Sequence, residues 1–305
     1  MRYDVIIIGA GPAGLSAALD CACLKLKALV LEADRAGGAL SQAYPWKKVD
    51  SFLGFAKMTG KDIAARISGH VKNEGIEIRE FEEVEEVKRG REFKIKTKKA
   101  EYEASAVIIA TGVRGMPRKL SVPGENLEGV EYLIHDPEKF SGRKVLVVGG
   151  GDAAADMTLG LKNAGAKVWL AHRRDELRAR DGCREKLEKC GVAILWNTEV
   201  ESIVGETKVE RVKLFNNMKG TKTEIACDHV LVSIGSITAK DWLEGIGIGM
   251  EDGLVKVDGD GMTSIPGIFA AGDIVSRLKR IPQALATGER AAYSAYKHLK
   301  NPYWK

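Results

Sequence analysis

Two glycine clusters set the chemistry this chain is equipped for. Gly9, Gly11 and Gly14 lie in GAGPAG at 9–14. Gly149 and Gly151 lie in GGGDAAAD at 149–156, with Ala154 in the third-glycine position. Each cluster follows a β-branched apolar run (DVIII at 4–8, KVLVV at 144–148) and precedes a stretch rich in small residues, the strand, turn and helix order of a dinucleotide-binding unit. In that setting Gly9 and Gly149 permit the tight turn. Gly11 and Gly151 remove the side chain where a pyrophosphate approaches the helix N-terminus, and Gly14 and Ala154 let the helix lie close to the sheet. Pro12 and Ala13 open the first helix, and Asp152 and Ala153 the second, so these four face the same phosphate sites.

The two copies differ where each second strand ends. Glu32 follows Gly9 by 23 positions, and His172 follows Gly149 by the same 23. A carboxylate at that point accepts both hydroxyls of an unphosphorylated ribose, as FAD carries, and repels a 2′-phosphate. His172, Arg173, Arg174 and Arg178 in HRRDELR (172–178) do the reverse. Guanidinium groups give bidentate, charge-assisted bonds to phosphate, which points to NADPH rather than NADH.

Further strand ends carry the rest of the first site. SAVIIATG (105–112) reads as a strand returning to the first unit and ending at Gly112. TSIPGIFAAGD (263–273) reads as another, ending in Gly272 and Asp273. The Asp273 carboxylate is placed to hold a flavin ribityl hydroxyl. A helix beginning near Pro282 would aim its positive end, at Gln283 and Ala284, toward the ring. Gly38, just beyond Glu32, belongs to the same set.

These elements imply an α/β fold of two Rossmann-like, three-layer ββα domains. The FAD-binding domain is expected over 1–114 and 240–305, with the NADPH-binding domain inserted over 115–239 and hinge crossings near 114 and 240. The 305 residues suit two cores better than one. With 45% hydrophobic and 29% charged residues, and no apolar run near the ~18 residues of a membrane span, the composition is that of a soluble enzyme. The opening MRYDVIIIGAG reads as a strand, not a signal peptide. Five cysteines without framework spacing (Cys21, Cys23, Cys183, Cys190, Cys227) fit reduced thiols, and a cytoplasmic location is the expectation. No aromatic-rich basic stretch points to nucleic acid, and no residue set suggests a metal.

GAGPAG with Glu32, ATG at 110–112, GGGDAAAD, HRRDELR and AAGD at 270–273 together resemble the low-molecular-weight thioredoxin reductase superfamily along essentially the whole chain. Thioredoxin reductases carry a redox Cys-x-x-Cys shortly before the second glycine cluster. Counting back from Gly149 without gaps puts Tyr132, Leu133, Ile134 and His135 there. Cys21 and Cys23, two apart on a helix, face opposite ways. Cys183 and Cys190 would stand about 10 Å apart. Electrons would therefore leave a reduced flavin without a dithiol relay. His135 is the one group at those four positions that titrates near neutral pH and is a candidate to reach the flavin or nicotinamide.

Three stretches are similar to the thioredoxin-reductase-like ferredoxin–NADP reductases: 39–57 (ALSQAYPWKKVDSFLGFAK), 116–120 (MPRKL) and 131–156. That resemblance implies Tyr44, before Pro45, as the residue stacked on the isoalloxazine. It also implies a homodimer and an NADPH domain that rotates against the FAD domain. The family's C-terminal aromatic extension is missing, and only Tyr303 and Trp304 stand near its place. The expected reaction is hydride transfer from nicotinamide C4 to flavin N5, governed by positioning rather than by an acid–base residue. An acidic one-electron carrier such as ferredoxin is the expected partner. The alternatives are a related reductase using a thiol protein, a quinone or oxygen, and a flavin/NADPH redox sensor.

Overall fold

The computed structural model describes residues 2–113, 117–235, 243 and 245–302. Met116, Tyr303, Trp304 and both expected hinge positions lie outside them. The chain divides into two compact units, Met1–Gly115 with Thr238–Lys305, and Met116–Ile237.

In the first unit the strands are β1 (Arg2–Ile8), β2 (Ala28–Leu31), β3 (Glu77–Arg79), β4 (Val84–Lys88), β5 (Phe93–Thr97) and β6 (Glu101–Ile109), in sheet order β3-β2-β1-β6-β5-β4. β1 runs parallel to β2 and β6, and Val5, Ile6 and Ile7 are wholly buried. A parallel strand covered on both faces needs such an uninterrupted apolar run. β6 forks. Its first half pairs antiparallel with β5, and its last residues, Val107–Ile109, pair parallel with a strand at Ile268–Ala270.

On one face lie α1 (Pro12–Cys23) and the C-terminal helix (Ile281–Lys300), with Ala13, Ala17, Ala284, Ala291 and Ala295 in a common core. The two helices approach so closely that a Cβ at Gly288 would lie 2.1 Å from the Ala13 carbonyl oxygen. Side chains alternate along β2, so Val30 joins this core while Leu29 and Leu31 join a second one with Ile95, Val107 and Ile265. A short helix, α2 (Ala39–Gln42), and a longer one, α3 (Gly60–Asn73), complete the unit. α3 starts at a capping box: the Asp62 N–H donates to Thr59 Oγ1 at 3.2 Å, and the Thr59 N–H to the Asp62 carboxylate at 3.4 Å.

The second unit repeats the plan. β7 (Val130–Glu131), β8 (Lys144–Gly149), β9 (Lys167–Ala171), β10 (Ala193–Leu195) and β14 (His229–Ser233) form a parallel sheet in the order β10-β9-β8-β14-β7. Helices α4 (Asp152–Asn163) and α5 (Asp181–Lys189) belong to it. β11 (Thr198–Val204), β12 (Arg211–Asn216) and β13 (Thr221–Ala226) make an antiparallel sheet. Leu146 and Val230 of the first sheet share a core with Val200, Val212 and Leu214 of the second. Both units are thus three-layer ββα folds of Rossmann type. Among the described residues no helix is long and apolar enough to cross a membrane.

Candidate functional site

In the first unit the glycines of the β1–α1 turn do different work. A Cβ at Gly9 (φ +105°) would lie 2.5 Å from the Ala110 carbonyl oxygen, and one at Gly14 would lie 1.9 Å from that of Gly9. These two are packing glycines. Gly11 faces open space, its nearest neighbour being the Gly38 Cα at 3.9 Å, so what its missing side chain spares is room for a ligand at the helix N-terminus. Gly38 (φ +57°) caps α2 and abuts Gly11 from the other side.

Glu32 is 8% exposed, and its carboxylate accepts the N–H of Ala10 at 2.7 Å and that of Asp34 at 3.0 Å. Its backbone is clamped as well, donating to the Arg79 carbonyl at 2.9 Å and accepting from the Glu82 N–H at 2.8 Å. Each carboxylate oxygen keeps a further acceptor position, as two ribose hydroxyls require. Nearby, the Gln42 Nε2 donates to the Arg35 carbonyl at 3.0 Å, whereas its Oε1 is buried without a partner. Sequence reasoning missed Gln42. Its only signal was a glutamine a few residues beyond the 37–38 glycine pair.

Asp273 sits on a 3-10 turn just after the Ile268–Ala270 strand. Its carboxyl is partly buried and has no hydrogen-bond partner among the described residues. Burial raises its pKa, and the Lys279 ammonium partly offsets the rise. Thr287 ties this turn to the C-terminal helix, its Oγ1 accepting the Gly272 N–H at 2.9 Å and lying 3.0 Å from the Gln283 carbonyl oxygen. That helix has no acidic residue in its first turn and no side-chain cap, so its positive end, at Gln283 and Ala284, is left unneutralised. Tyr44 is half-buried, with the Lys47 ammonium 5.7 Å from its ring centroid. Gly60 leaves room for its carbonyl, since a Cβ there would come within 2.3 Å of that oxygen. Gly112 (φ +67°) borders open space.

In the second unit a Cβ at Gly149 would lie 2.3 Å from the Ser233 carbonyl oxygen, while Gly151 faces open space. A packed glycine and a glycine beside open space thus recur in the same order. His172 departs from its neighbours. It is 7% exposed, its ring lies where a Cβ on Gly150 would be, and its Nε2 is 3.0 Å from the Glu176 carbonyl oxygen. Burial, reinforced by Arg174, Arg178 and Arg173, lowers its pKa, so the ring is neutral near pH 7. A neutral Nε2–H then donates to Glu176 and fixes the turn.

Arg173, Arg174 and Arg178 are exposed, and none forms an ion pair among the described residues. Arg174 and Arg178 line a pocket of about 450 Å³ with Leu177 and Arg184. The neighbouring guanidiniums are already neutralised: Arg180 by Asp152 at 2.8 Å, Arg184 by Glu176 at 2.6 Å and by Asp181. The Arg178 N–H donates to the Gly150 carbonyl at 2.8 Å, which binds the basic loop to the glycine turn. Asp152 also accepts the Arg180 N–H at 2.9 Å, so both its oxygens are engaged within the protein. Ala153 is half-buried beside it.

None of the five cysteines is in a disulfide. Cys21 and Cys227 are buried, and burial pushes both thiols up to about 12, well away from reactive thiolate. At positions 132–135, where a redox disulfide would stand, the Tyr132 hydroxyl donates to Glu125 at 2.7 Å, Ile134 is buried, and Leu133 and His135 are exposed. No thiol lies there.

The two units thus share one strand–glycine turn–helix plan, with a carboxylate at the end of the second strand in one and a cluster of guanidinium groups in the other. The chain belongs to the pyridine nucleotide-disulphide oxidoreductase family, whose profile matches residues 3–288. It is 34% identical over 304 residues to the ferredoxin–NADP reductase of Ignicoccus hospitalis, covering 99% of each chain. It is 35% identical over 306 residues to the thioredoxin reductase of Bacillus subtilis, covering 98% of this chain and 95% of that one. The crystal structure of Lactococcus lactis thioredoxin reductase superposes with a TM-score of 0.91 at 32% identity, covering 98% of this chain and all of the other. The protein is therefore an FAD-dependent NADPH oxidoreductase of the thioredoxin-reductase-like superfamily. Relatives of both names stand at one level of identity, so the particular likeness to ferredoxin–NADP reductases expected from the motifs is not singled out.

Proposed function

We propose that this protein is a reductase of the ferredoxin–NADP type, passing electrons from NADPH to an external one-electron carrier without a protein thiol in between. The observation that carries the reading is the thiol-free segment Tyr132–His135, together with the buried, high-pKa Cys21 and Cys227. When bound, FAD supplies a ring that takes two electrons as hydride from the nicotinamide and returns them singly.

The chain's own residues bind, orient and shield. Glu32 accepts the ribose hydroxyls of the adenosine end, and Gly11 and Gly38 leave room for the pyrophosphate. The orphaned Gln42 Oε1 and the unpartnered Asp273 carboxyl accept hydroxyl groups, Gly112 leaves space at its strand end, Gly272 lets the Asp273 turn lie against Ala13, and Tyr44 covers the ring. The positive end of the C-terminal helix, at Gln283 and Ala284, favours negative charge on the reduced ring. In the second unit Gly151 admits the NADPH pyrophosphate and Arg173, Arg174 and Arg178 hold the 2′-phosphate. His172 and Asp152 position that loop from within rather than touching the phosphate.

The thioredoxin reductases among its relatives favour a second reading, reduction of a thiol protein directly by the flavin. Anaerobic stopped-flow decides between the two. The protein is bleached with NADPH and then mixed with oxidised ferredoxin or with thioredoxin disulfide. Rapid reoxidation by ferredoxin with thioredoxin inert supports the proposal. Rapid reoxidation by thioredoxin overturns it.

A further inference from the structure

Two surface turns of the first unit present leucine side chains to solvent amid unpaired cations. Phe52, Leu53, Gly54 and Phe55 form a tight turn closed by the Phe55 N–H donating to the Phe52 carbonyl at 3.0 Å, with Gly54 at φ +85°. The flanking Phe52 and Phe55 rings stack with centroids 4.3 Å apart and pack on Leu40 and Ile63, and the Arg66 guanidinium lies 5.6 Å from Phe55. That support holds Leu53 outward, 97% exposed. In the second turn Leu278 is 61% exposed, its N–H donating to Ser276 Oγ at 3.1 Å and its carbonyl accepting from the Arg280 N–H at 3.1 Å. Ile281, three residues on, packs into the same small core as Phe52 and Phe55. The two turns therefore rest on one small core.

The charge there is one-sided. Residues 44–58 contain Lys47, Lys48 and Lys57 against Asp50, and residues 276–281 contain Arg277, Lys279 and Arg280 with no acid. The two segments carry +2 and +3, against +5 for the whole chain, and Asp252 on Arg277 offsets one of these charges. Arg277 is held by Asp252, whereas Lys48, Lys57, Lys279 and Arg280 have no ion pair among the described residues. The first segment begins at Tyr44, and the second lies between Asp273 and Gln283. Both are thus anchored at residues assigned above to the flavin end of the site, and Lys279 acts electrostatically on the Asp273 carboxyl.

We propose that Leu53 and Leu278, ringed by Lys48, Lys57, Lys279 and Arg280, form the docking surface for an acidic one-electron carrier protein. The inference rests on the ferredoxin-type reading above and adds to it the place of contact. Apolar centres with a cationic rim suit such a partner. Burial of the leucines gives residence, and the rim speeds encounter and sets orientation. A second copy would bring the same positive field and be repelled. The exchange served by the patch balances as one NADPH and two oxidised carriers giving NADP⁺, one proton and two reduced carriers.

The test uses the FAD-loaded protein and a purified acidic [4Fe–4S] ferredoxin as the probe. Calorimetry gives its Kd, and stopped-flow gives the rate at which it reoxidises the NADPH-bleached protein. The variant L53E/L278E is expected to weaken ferredoxin binding and slow that reoxidation tenfold or more. FAD content, the NADPH step and reoxidation by neutral benzoquinone should stay within twofold. Raising the salt should slow the wild type more steeply than the variant. If ferredoxin reoxidises wild type and variant at one rate, the surface is overturned and the functional reading stands. Ferredoxin that binds the wild type tenfold tighter than the variant without being reduced leaves the surface standing and removes that reading. Absence of binding to the wild type overturns the surface, as does a variant that turns a dimer into monomers in sedimentation, since the patch is then a contact between copies.

Discussion

The Glu32 carboxylate accepts the backbone N–H of Ala10 at 2.7 Å, joining the end of β2 to the glycine turn that follows β1. One side chain thereby shapes the glycine turn and keeps acceptor positions free for the ribose proposed to bind there. Replacing it with alanine leaves the Ala10 and Asp34 N–H groups without their acceptor, at about 1–3 kcal/mol each if they stay dry. Glu32→Ala should cut FAD affinity roughly tenfold to a hundredfold, and Glu32→Gln, which keeps one acceptor oxygen, should fall between. Titration of apoprotein with FAD, read by quenching of flavin fluorescence, measures both. Unchanged affinity in Glu32→Ala would remove Glu32 from the site.

Gly11 and Gly14 should respond in opposite ways. A methyl at Gly14 meets backbone at 1.9 Å, so Gly14→Ala should overpack the turn by about 1–3 kcal/mol and lower the Tm by several degrees with or without FAD. A methyl at Gly11 has space in the apoprotein, so Gly11→Ala should leave the apoprotein Tm within about a degree while FAD affinity drops roughly tenfold. Thermal scans of both variants, with and without FAD, check the contrast. A destabilised Gly11→Ala apoprotein would contradict it.

The basic loop of the second unit predicts a selective kinetic defect. With Arg173 and Arg174 both changed to alanine, KM for NADPH should rise roughly tenfold while kcat and the KM for NADH stay within about twofold. Exposure of these groups to solvent keeps the expected effect moderate. Steady-state rates with each nucleotide and a neutral acceptor give the answer, and equal loss with NADH would mean the loop supports the fold rather than the 2′-phosphate.

Asp20 on α1 carries a pH signature. Burial, followed by repulsion from Glu289 on the C-terminal helix, raises its carboxyl to about 6. A carboxyl raised in the folded state penalises folding only when ionised. The penalty is absent below the unfolded value of about 4, grows between about 4 and 6, and is complete above. Asp20→Asn should therefore raise the Tm at pH 7 and leave it unchanged near pH 3.5. A gain of the same size at both pH values would trace to something other than ionisation.

The strands, the glycine turns and the acid–base contrast between Glu32 and the arginines were legible because spacing along the chain dictates them. Side-chain direction was not. His172 occupies the position that mirrors Glu32, yet its ring turns inward over Gly150, because a glycine one residue past the turn leaves a hollow that only three dimensions reveal. Asp152 likewise faces Arg180, a partner 28 residues away that no local pattern marks. Gln42 stayed hidden because a lone glutamine in a loop carries no motif, and its significance lies in an oxygen that burial leaves without a partner. The division of labour between Gly9 and Gly11 needed the Ala110 carbonyl beside one and open space beside the other.

The fork of β6 has a consequence for biosynthesis. The strand at Ile268–Ala270 and the helix from Ile281 complete the first unit around a sheet whose other strands were translated far earlier, while the whole second unit lies between them in the chain. The inserted unit can mature on the ribosome as one contiguous stretch. The first unit must wait, its α1 face uncovered, until those last elements emerge. On the proposed assignment of FAD to the first unit, its loading is a late event of synthesis, and nascent chains arrested before residue 268 are expected to carry a finished second unit and no flavin.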